Sequence, residues 1–230
     1  LLAGAFFGVL LGGKLTGLLG SVHNVQRRTS GAYFYPWAVL GSFWLAKGDP
    51  LLFCAPIAVM ALADTGAALA GKRVGQNTYQ VMDGERSIEG SLTFFALALC
   101  IMIVALGLAR QPGWPEMLLV ALVVAALSTA TEAISVRGAD NLFIPYACFL
   151  VLDRTLRLGL RDLSGWIEGM LISLLIVLAS MRWSGLTISG AVTVFLGGTL
   201  SWALGGRAWT LPLLAFYLLA VSTLRIDRGH

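Results

Sequence analysis

Long apolar runs alternate with short polar segments along the 230 residues of the chain. An apolar run of about 20 residues is long enough for a helix to cross a bilayer. The pattern therefore predicts membrane-spanning helices, and the shorter runs are expected to be tilted, re-entrant or extended by their flanks. The predicted spans are 1–13 (partial), 33–46, 51–71, 91–109, 117–134, 142–158, 166–181, 187–204 and 208–224.

Composition supports the membrane interpretation. Hydrophobic residues make up 57% of the chain and charged residues only 12%, against about 25% charged residues in soluble domains. So few polar residues could not cover the surface of a soluble protein, so we predict an all-α, polytopic integral membrane protein with about 7–9 transmembrane helices. The chain begins at Leu1 inside an apolar run that lacks the features of a signal peptide. We therefore expect the sequence to be a fragment.

Charge and cysteine content argue against two classes of function. The net charge of +4 is small and no basic stripe with interleaved aromatic residues is present, so no nucleic-acid partner is predicted. Cys54, Cys100 and Cys148 each lie in an apolar run without a close cysteine neighbour. This spacing favours small buried side chains over metal ligands or disulfides.

The polar segments indicate a topology. Crossing the membrane at each predicted span places 23–31, 71–91 and 131–141 on one side, and all three carry Lys or Arg. The positive-inside rule predicts that this side is cytoplasmic. Segment 153–162 does not fit, because its three arginines fall on the opposite side. Either 142–152 is re-entrant or the rule fails there.

Asp64 lies at the end of an apolar run, where burying a carboxylate costs about 2.5–3.5 kcal/mol. On a helix, Asp64 shares one face with small residues only, namely Ala67, Ala68, Gly71 and Gly75. Small residues at this spacing are the usual means by which membrane helices pack closely. They would also let a flat ligand approach the carboxylate. Helix packing accounts for the small residues but not for the acid.

Charged residues of both signs follow in the polar segment. Lys72 and Arg73 end the predicted helix, and a second charged group precedes the next span: Glu85, Arg86, Ser87, Glu89 and Gly90. Mg²⁺ is usually bound by one or two carboxylates together with phosphate oxygens, and Lys and Arg hold the remaining phosphate charge. The segment therefore suits a phosphate–metal site, with a solvated loop of offsetting charges as the alternative.

Three stretches carry a family resemblance. ADTGAALAGKRVG (63–75) with ERSIEGSLTFF (85–95) resembles the D-x-x-A-x-x-x-G-x-x-x-G … K-S/T-x-E-G pattern of the polyprenol kinase family, which includes phytol kinase and dolichol kinase. RRTSGAYFYPWAV (27–39) and ATEAISVRGADNLFIPY (130–146) are similar to further elements of the phytol kinase type. The resemblance covers about residues 1–160. Arg86 stands where the family has Lys, which keeps the charge but replaces a point ammonium with a planar donor.

The resemblance implies a kinase with CTP as phosphoryl donor and Mg²⁺ as cofactor. The acceptor would be a membrane-embedded isoprenoid alcohol, such as phytol, farnesol, geranylgeraniol or a dolichol-like alcohol, phosphorylated at the cytoplasmic face of the bilayer. The implied catalytic residues are Asp64, Glu89, Glu132 and Asp140. Asp64 would be a metal ligand, and Glu89 would be a second metal ligand or would orient the acceptor hydroxyl. Glu132 and Asp140 are candidates for a general base or a second metal site. The implied nucleotide- and phosphate-binding residues are Arg28, Gly71, Lys72, Arg73, Gly75, Arg86, Ser87, Gly90 and Asn141.

The C-terminal part resembles a different membrane family. Residues 186–224 are similar to the opening spans of the family that includes phytyl-phosphate kinase, but its later acidic motifs are absent. We therefore predict a kinase-like domain over 1–160 and an incomplete second domain over 161–230. Two other functions remain open: a cytidylyltransferase related to phosphatidate cytidylyltransferase, which needs the same CTP–Mg²⁺ site, and a transporter with acidic gates. A transporter would more often place its acids in mid-span.

Overall fold

The structure, a computed structural model, describes residues 31–81, 84–110, 112–136 and 138–227. The predicted partial span 1–13 and Arg28 lie outside these residues. The elements in chain order are α1 (Gly31–Ala46), α2 (Pro50–Ala58), a π-helical turn (Val59–Ala63), α3 (Asp64–Val74), β1 (Thr78–Val81), β2 (Gly84–Ser87), α4 (Ile88–Ala109), α5 (Trp114–Ile134), α6 (Asp140–Thr155), α7 (Leu160–Ser184) and α8 (Ile188–Asp227).

The helices are those of a multi-pass membrane protein. Five helical segments of the described chain are long and apolar enough to cross a bilayer: Pro50–Val74, Ile88–Ala109, Trp114–Ile134, Leu160–Trp183 and Ile188–Ser222. Helices α1 and α6 have 16 residues each. At a rise of about 1.5 Å per residue they are shorter than the hydrocarbon core of about 30 Å. The all-α membrane class is confirmed, whereas the count of 7–9 spans stays a prediction.

Capping residues and left-handed residues set the helix ends. The Asp49 carboxylate accepts hydrogen bonds from Leu51 N at 2.8 Å and Leu52 N at 3.3 Å, which satisfies the first free amides of α2. The Ser87 hydroxyl accepts from Gly90 N at 3.0 Å at the start of α4. At the other end of α4, Arg110 takes a left-handed conformation that stops the helix.

Helix α5 forms the centre of the core. Val120, Val123 and Val124 on this helix are fully buried, and α5 packs against α4, α6, α7 and α8. Leu163 and Trp166 of α7 belong to the same core. The C-terminal helices therefore pack onto the rest of the bundle, and the predicted domain division after residue 160 stays a prediction.

Gly206 divides α8 into two arms, because its φ of 56° and ψ of −151° interrupt the helix. Residues of both arms, including Gly197 and Tyr217, line one apolar cavity of about 330 Å³ together with α7. The arms therefore lie side by side. The break falls between the predicted spans 187–204 and 208–224.

A small β-hairpin occupies the segment that the sequence predicted to be a polar loop between two helices. β1 and β2 pair antiparallel, with Thr78 opposite Ser87 and Val81 opposite Gly84. Tyr79 is buried, and its hydroxyl lies 2.8 Å from the hydroxyl of Ser91 on α4. The hairpin is thereby fixed on the start of α4, beside the end of α3.

Several helix ends meet at the hairpin. A cavity lies there, and it is lined in part by residues of α1, α3, α4, α5 and α6. Helix α6 begins at this cavity and continues without a re-entrant turn through 142–152. At about 1.5 Å per residue it carries segment 153–162 roughly 22 Å away from the cavity. The arginines of that segment therefore lie at the opposite end of the bundle from the hairpin.

Candidate active site

A cavity of about 730 Å³ lies between the hairpin and the helix ends. Its ionisable lining residues are four acids and two bases: Asp64, Glu85, Glu132, Asp140, Lys72 and Arg86. The rest of the lining is mainly small or hydroxylated: Gly31, Ala67, Ala68, Gly71, Thr78, Val81, Ser87, Gly90, Ser91, Gly138 and Asn141. The cavity thus has polar groups to bind a charged ligand and no bulky side chain to fill it.

Asp64 reaches the cavity through an irregular turn. The five residues Val59–Ala63 form a π-helix, and Asp64 is the first residue of the α-helix that follows. A π-helical turn accommodates one extra residue and is frequent at functional sites. The predicted small face is confirmed in part, since Ala67, Ala68 and Gly71 line the cavity beside Asp64. Gly75 instead ends the helix.

Arg86 joins three elements of the site. From strand β2, its Nη1 forms an ion pair with Glu132 Oε1 near the end of α5. Its Nη2 donates to the Ser135 carbonyl at 3.1 Å and lies 3.5 Å from Asp140 Oδ2 at the start of α6. A planar guanidinium has several donors in a fixed arrangement and can bind several acceptors at once. Sequence reasoning placed Arg86 in the site but did not find the Ser135 carbonyl, for which the sequence has no signal.

Glu132 is the most buried acid of the cavity, with 4% of its surface exposed. Oε1 is paired with Arg86, whereas Oε2 is buried and has no hydrogen-bond partner in the described part of the chain. Leaving a buried acceptor unsatisfied costs about 1–3 kcal/mol, and more for a charged group.

The glycines of the 63–75 and 85–95 elements bring α3 and α4 close together around Ser87. A Cβ at Gly71 or Gly90 would lie 3.0 Å from Ser87 Oγ, and a Cβ at Gly75 would lie 2.9 Å from it. A Cβ at Gly90 would also lie 3.2 Å from the Ala67 carbonyl oxygen. A side chain at these positions would displace its neighbours, so close packing of the two helices explains the glycines without a ligand.

The 27–39 and 130–146 elements meet on the other side of the cavity. A Cβ at Gly31 would lie 2.6 Å from Asn141 Nδ2, so α1 and α6 approach closely at this point. Further along the two helices, the Tyr146 hydroxyl donates to the Trp37 carbonyl at 3.0 Å. Both contacts join residues that sequence reasoning connected only through the resemblance.

Glu89 lies outside the cavity lining. Its carboxylate accepts hydrogen bonds from Asn77 N at 3.1 Å and Asn77 Nδ2 at 2.8 Å, which fixes the base of the hairpin to the first turn of α4. Asn77 was missed by sequence reasoning, because only the hairpin fold brings it to Glu89. The metal-binding and catalytic roles of Glu89 stay predictions, and its observed contacts are structural.

The structure brings most of the predicted residues together. The cavity lining contains Asp64, Gly71, Lys72, Arg86, Ser87, Gly90, Glu132, Asp140 and Asn141. Arg73, Gly75 and Glu89 are absent from that lining, and Arg28 lies outside the described residues. The individual roles in binding and catalysis stay predictions.

The described acids of the cavity fit Mg²⁺ only together with a ligand. No group of three or more His, Cys, Asp or Glu side chains in the described ranges could hold a metal ion alone. Mg²⁺ needs only one or two carboxylates when phosphate oxygens complete its coordination. Of the three salt bridges among the described residues, two belong to Arg86 and one to Arg157, and Asp64 is in none of them. Asp64 and Glu85 are therefore the two lining acids outside any of these salt bridges, and Glu85 Oε1 accepts a hydrogen bond from Gln80 Nε2.

The fold and the cavity define a multi-pass helical membrane protein with a polar site at one end of its bundle. The chain is 34% identical over 138 residues to a phytol kinase of Synechocystis sp., an alignment that covers 58% of this chain and 58% of that protein. The chain therefore matches less than two thirds of the length of this relative. No protein-family model and no solved structure matches the chain.

Proposed function

We propose that the protein is an integral-membrane kinase that transfers a phosphoryl group from CTP to a long-chain isoprenoid alcohol. The observation that carries the proposal is the cavity of about 730 Å³, in which residues of the 63–75, 85–95 and 130–146 elements converge. The similarity to a phytol kinase supports the same reaction. Phytol, farnesol, geranylgeraniol and dolichol-like alcohols are the candidate acceptors.

The position of the cavity suits this pair of substrates. An isoprenoid alcohol is an apolar chain with one hydroxyl, so its chain is most stable among lipid tails and its hydroxyl at headgroup level. The cavity lies where helix ends meet a polar hairpin, so a nucleotide can enter from water. One site can therefore hold both the nucleotide and the hydroxyl.

Phosphoryl transfer depends mainly on positioning and on neutralising phosphate charge. In the proposed site, Asp64 binds Mg²⁺ and Lys72 binds phosphate oxygens. Arg73, in the last turn of α3 and outside the cavity lining, is proposed to bind phosphate as well. The bound Mg²⁺ would supply positive charge to the phosphate oxygens. Small lining residues such as Ala67, Ala68 and Gly71 leave room for the nucleotide next to Asp64.

We also propose that the hairpin face is cytoplasmic, where CTP is available. Lys72, Arg73 and Arg86 lie at this face and follow the positive-inside rule, whereas the three arginines of segment 153–162 lie at the opposite end of the bundle and do not. We further propose that α1, α6 and both arms of α8 each cross the membrane, which brings the number of crossings into the predicted range of seven to nine. Together with Pro50–Val74, α4, α5 and α7 they make eight.

The experiment is a label-transfer assay. Membranes containing the protein are incubated with phytol or farnesol and with CTP labelled at either the α- or the γ-phosphate, and membranes without the protein are the control. The kinase proposal predicts γ-label in the lipid product and no α-label. Incorporation of α-label would indicate a cytidylyltransferase, and incorporation of neither would leave the transporter alternative.

A further inference from the structure

A second cavity, of about 330 Å³, lies between α7 and the two arms of α8. No charged side chain is among its described lining residues. Two lining threonines use their hydroxyls within their own helix, since Thr193 donates to the Ser189 carbonyl at 2.9 Å and Thr210 to the Gly206 carbonyl at 2.9 Å. The volume falls in the range of about 300–1,000 Å³ that is usual for small-molecule pockets. The cavity therefore suits an uncharged, apolar ligand.

Gly197 keeps space open in this apolar cavity. A Cβ at Gly197 would have no atom within 4 Å, whereas a Cβ at its neighbour Gly198 would collide with the Ser173 side chain. Close packing of α7 and α8 therefore explains Gly198 but not Gly197. Glycine is less stable than alanine in a helix interior, so helix stability does not explain Gly197 either. Its missing side chain leaves room for a ligand.

The apolar cavity is elongated and begins beside the hairpin. Its lining on the first arm of α8 extends from Thr193 to Trp202, about 14 Å along the helix. Thr193 is one helical turn from Ser189, whose hydroxyl donates to the Gln80 carbonyl of β1 at 2.6 Å. The next residue of β1, Val81, lines the polar cavity that contains Asp64. The apolar cavity therefore extends from the neighbourhood of the polar site into the membrane-spanning part of α8.

One side of the apolar cavity is open to lipid. Leu213 and Phe216 of the second arm line it and are exposed at the protein surface. Both lie in the membrane-spanning segment Ile188–Ser222, where an exposed side chain contacts lipid tails. A ligand can therefore enter from the bilayer, which is where an isoprenoid alcohol is dissolved.

We infer that this cavity binds the isoprenoid chain of the acceptor alcohol, an assignment that rests on the kinase function proposed above. The hydroxyl of the alcohol lies at the polar cavity, and the chain passes the start of α8 and follows the apolar cavity. Lipid tails are as apolar as the lining, so the affinity comes from packing contacts, which a longer chain makes in greater number. The C-terminal helices α7 and α8 thereby select the alcohol by the length of its chain.

The test fills the cavity with Gly197→Leu in the full chain reconstituted in lipid vesicles. We expect the KM for geranylgeraniol to rise at least about tenfold, with the KM for CTP within about threefold of the wild type, because only binding of the chain is lost. The KM for the shorter alcohol geraniol should also stay within about threefold, since Gly197 lies about 12 Å along α8 from Ser189. Gly107→Leu on α4 is the control, because a Cβ there also meets no atom within 4 Å. It should leave all three KM values unchanged.

Two results would overturn the assignment and leave the kinase function in place. One is a Gly197→Leu protein whose KM for geranylgeraniol stays within about threefold of the wild type, and the other is an equal rise for both alcohols. A wild-type protein that phosphorylates neither alcohol would overturn the proposed function itself.

A labelling experiment on the wild type keeps the inference testable if Gly197→Leu does not accumulate. Geranylgeraniol with a photoreactive group at the end of its chain is irradiated with the protein in vesicles, and the modified peptides are identified. Adducts on the cavity residues of α7 and α8 that excess geranylgeraniol suppresses would support the assignment. Adducts only on other helices, or adducts that excess geranylgeraniol does not suppress, would contradict it and would leave the cavity to the acyl chains of bilayer lipids.

Discussion

Arg86 on strand β2 and Glu132 on the last turn of α5 form an ion pair that attaches the hairpin to the helix bundle. The pair lies in the cavity wall, and the same guanidinium also contacts the Ser135 carbonyl and Asp140. Breaking a buried pair by removing one partner typically costs about 3–5 kcal/mol, because the other charge is left uncompensated. The geometry of the site and the stability of the fold therefore depend on the same side chain.

The first prediction concerns Arg86. Arg86→Ala leaves Glu132 buried without its partner, so we expect a loss of about 2–4 kcal/mol, somewhat less than for a fully buried pair because Arg86 is partly exposed. Arg86→Lys keeps the charge and restores the residue of the resembled family, so we expect it to retain activity. Thermal unfolding in detergent measures the loss of stability in Arg86→Ala, and label transfer from CTP to the alcohol measures the activity that Arg86→Lys retains. The control is Arg157→Ala, which removes an exposed pair with Asp153 and should change stability by less than about 1 kcal/mol. Equal stability of Arg86→Ala and Arg157→Ala would contradict the role of Arg86.

A second prediction tests the close packing at Gly90. In Gly90→Ala, the new Cβ would lie 3.0 Å from Ser87 Oγ and 3.2 Å from the Ala67 carbonyl oxygen. Overpacking of this kind costs about 1–3 kcal/mol. Gly107 is a matched control in the same helix, since its Cβ would have no atom within 4 Å, and alanine there should be neutral or stabilising by up to about 1 kcal/mol. The apparent melting temperatures of the two variants in detergent give the comparison. A Gly90→Ala protein as stable as Gly107→Ala would show that the helices do not pack as described.

The sequence was informative about this protein wherever the signal was local. Apolar runs located the helices, and the unfavourable position of Asp64 at the end of an apolar run drew attention to a residue that the structure places in the cavity wall. The hairpin was not predicted, because its two strands have four residues each and its attachment to α4 depends on a hydrogen bond between the Tyr79 and Ser91 hydroxyls. The partners of Glu89 and Arg86 were also not predicted, since Asn77 and the Ser135 carbonyl become neighbours only in the fold.

The third prediction concerns the π-helical turn before Asp64. A π-helical turn holds one residue more than an α-helical turn, so deleting Leu62 should convert Val59–Ala63 to α-helix and leave Asp64 facing the cavity. Leu62 is largely exposed, which limits the loss of packing. Deleting Ala70 from the regular part of α3 should instead rotate Lys72 by about 100° around the helix. We expect the Leu62 deletion to lower phosphoryl transfer by less than about tenfold, and the Ala70 deletion to abolish it. If the Ala70 deletion kept more activity than the Leu62 deletion, the π-helical turn would not be what keeps Asp64 and Lys72 facing the cavity.

A fourth prediction concerns topology. Single cysteines at Gln76 and Ala139 should react with a membrane-impermeant thiol reagent from the cytoplasmic side only, after Cys54, Cys100 and Cys148 are replaced by Ala. Cysteines that replace Pro112 and Arg157 should react only from the other side, because α4 and α6 run away from the cavity.

The choice of Ala139 over its neighbour Gly138 follows from the backbone, since the φ of 80° at Gly138 would strain a cysteine. Labelling of Ala139→Cys and Gln76→Cys from opposite sides would place Asp140 and the hairpin on different faces of the membrane. That result is incompatible with a shared cavity.

Helix boundaries were predicted less well than helix positions. The predicted span 51–71 continues to Val74 through the π-helical turn, and hydropathy cannot detect an altered hydrogen-bonding pattern. The predicted break between 187–204 and 208–224 falls at Gly206, where the conformational freedom of glycine is a local signal. Contacts between distant residues, such as Gly31 with Asn141, could not be derived from one sequence.

The proposed site places phosphoryl transfer to the alcohol in the cavity at Asp64. It is tested most directly by Asp64→Asn, which keeps the shape of the side chain and removes its charge. Wild-type and variant protein, reconstituted at equal folded amounts, are incubated with γ-labelled CTP, Mg²⁺ and phytol or farnesol, and the label in the lipid is counted. The proposed role of Asp64 predicts label transfer by the wild type and a loss of at least about 100-fold in the variant, because the cation and the phosphate depend on this carboxylate. An Asp64→Asn protein that transfers label at a rate close to that of the wild type would contradict it and would leave Asp64 a role in helix packing alone.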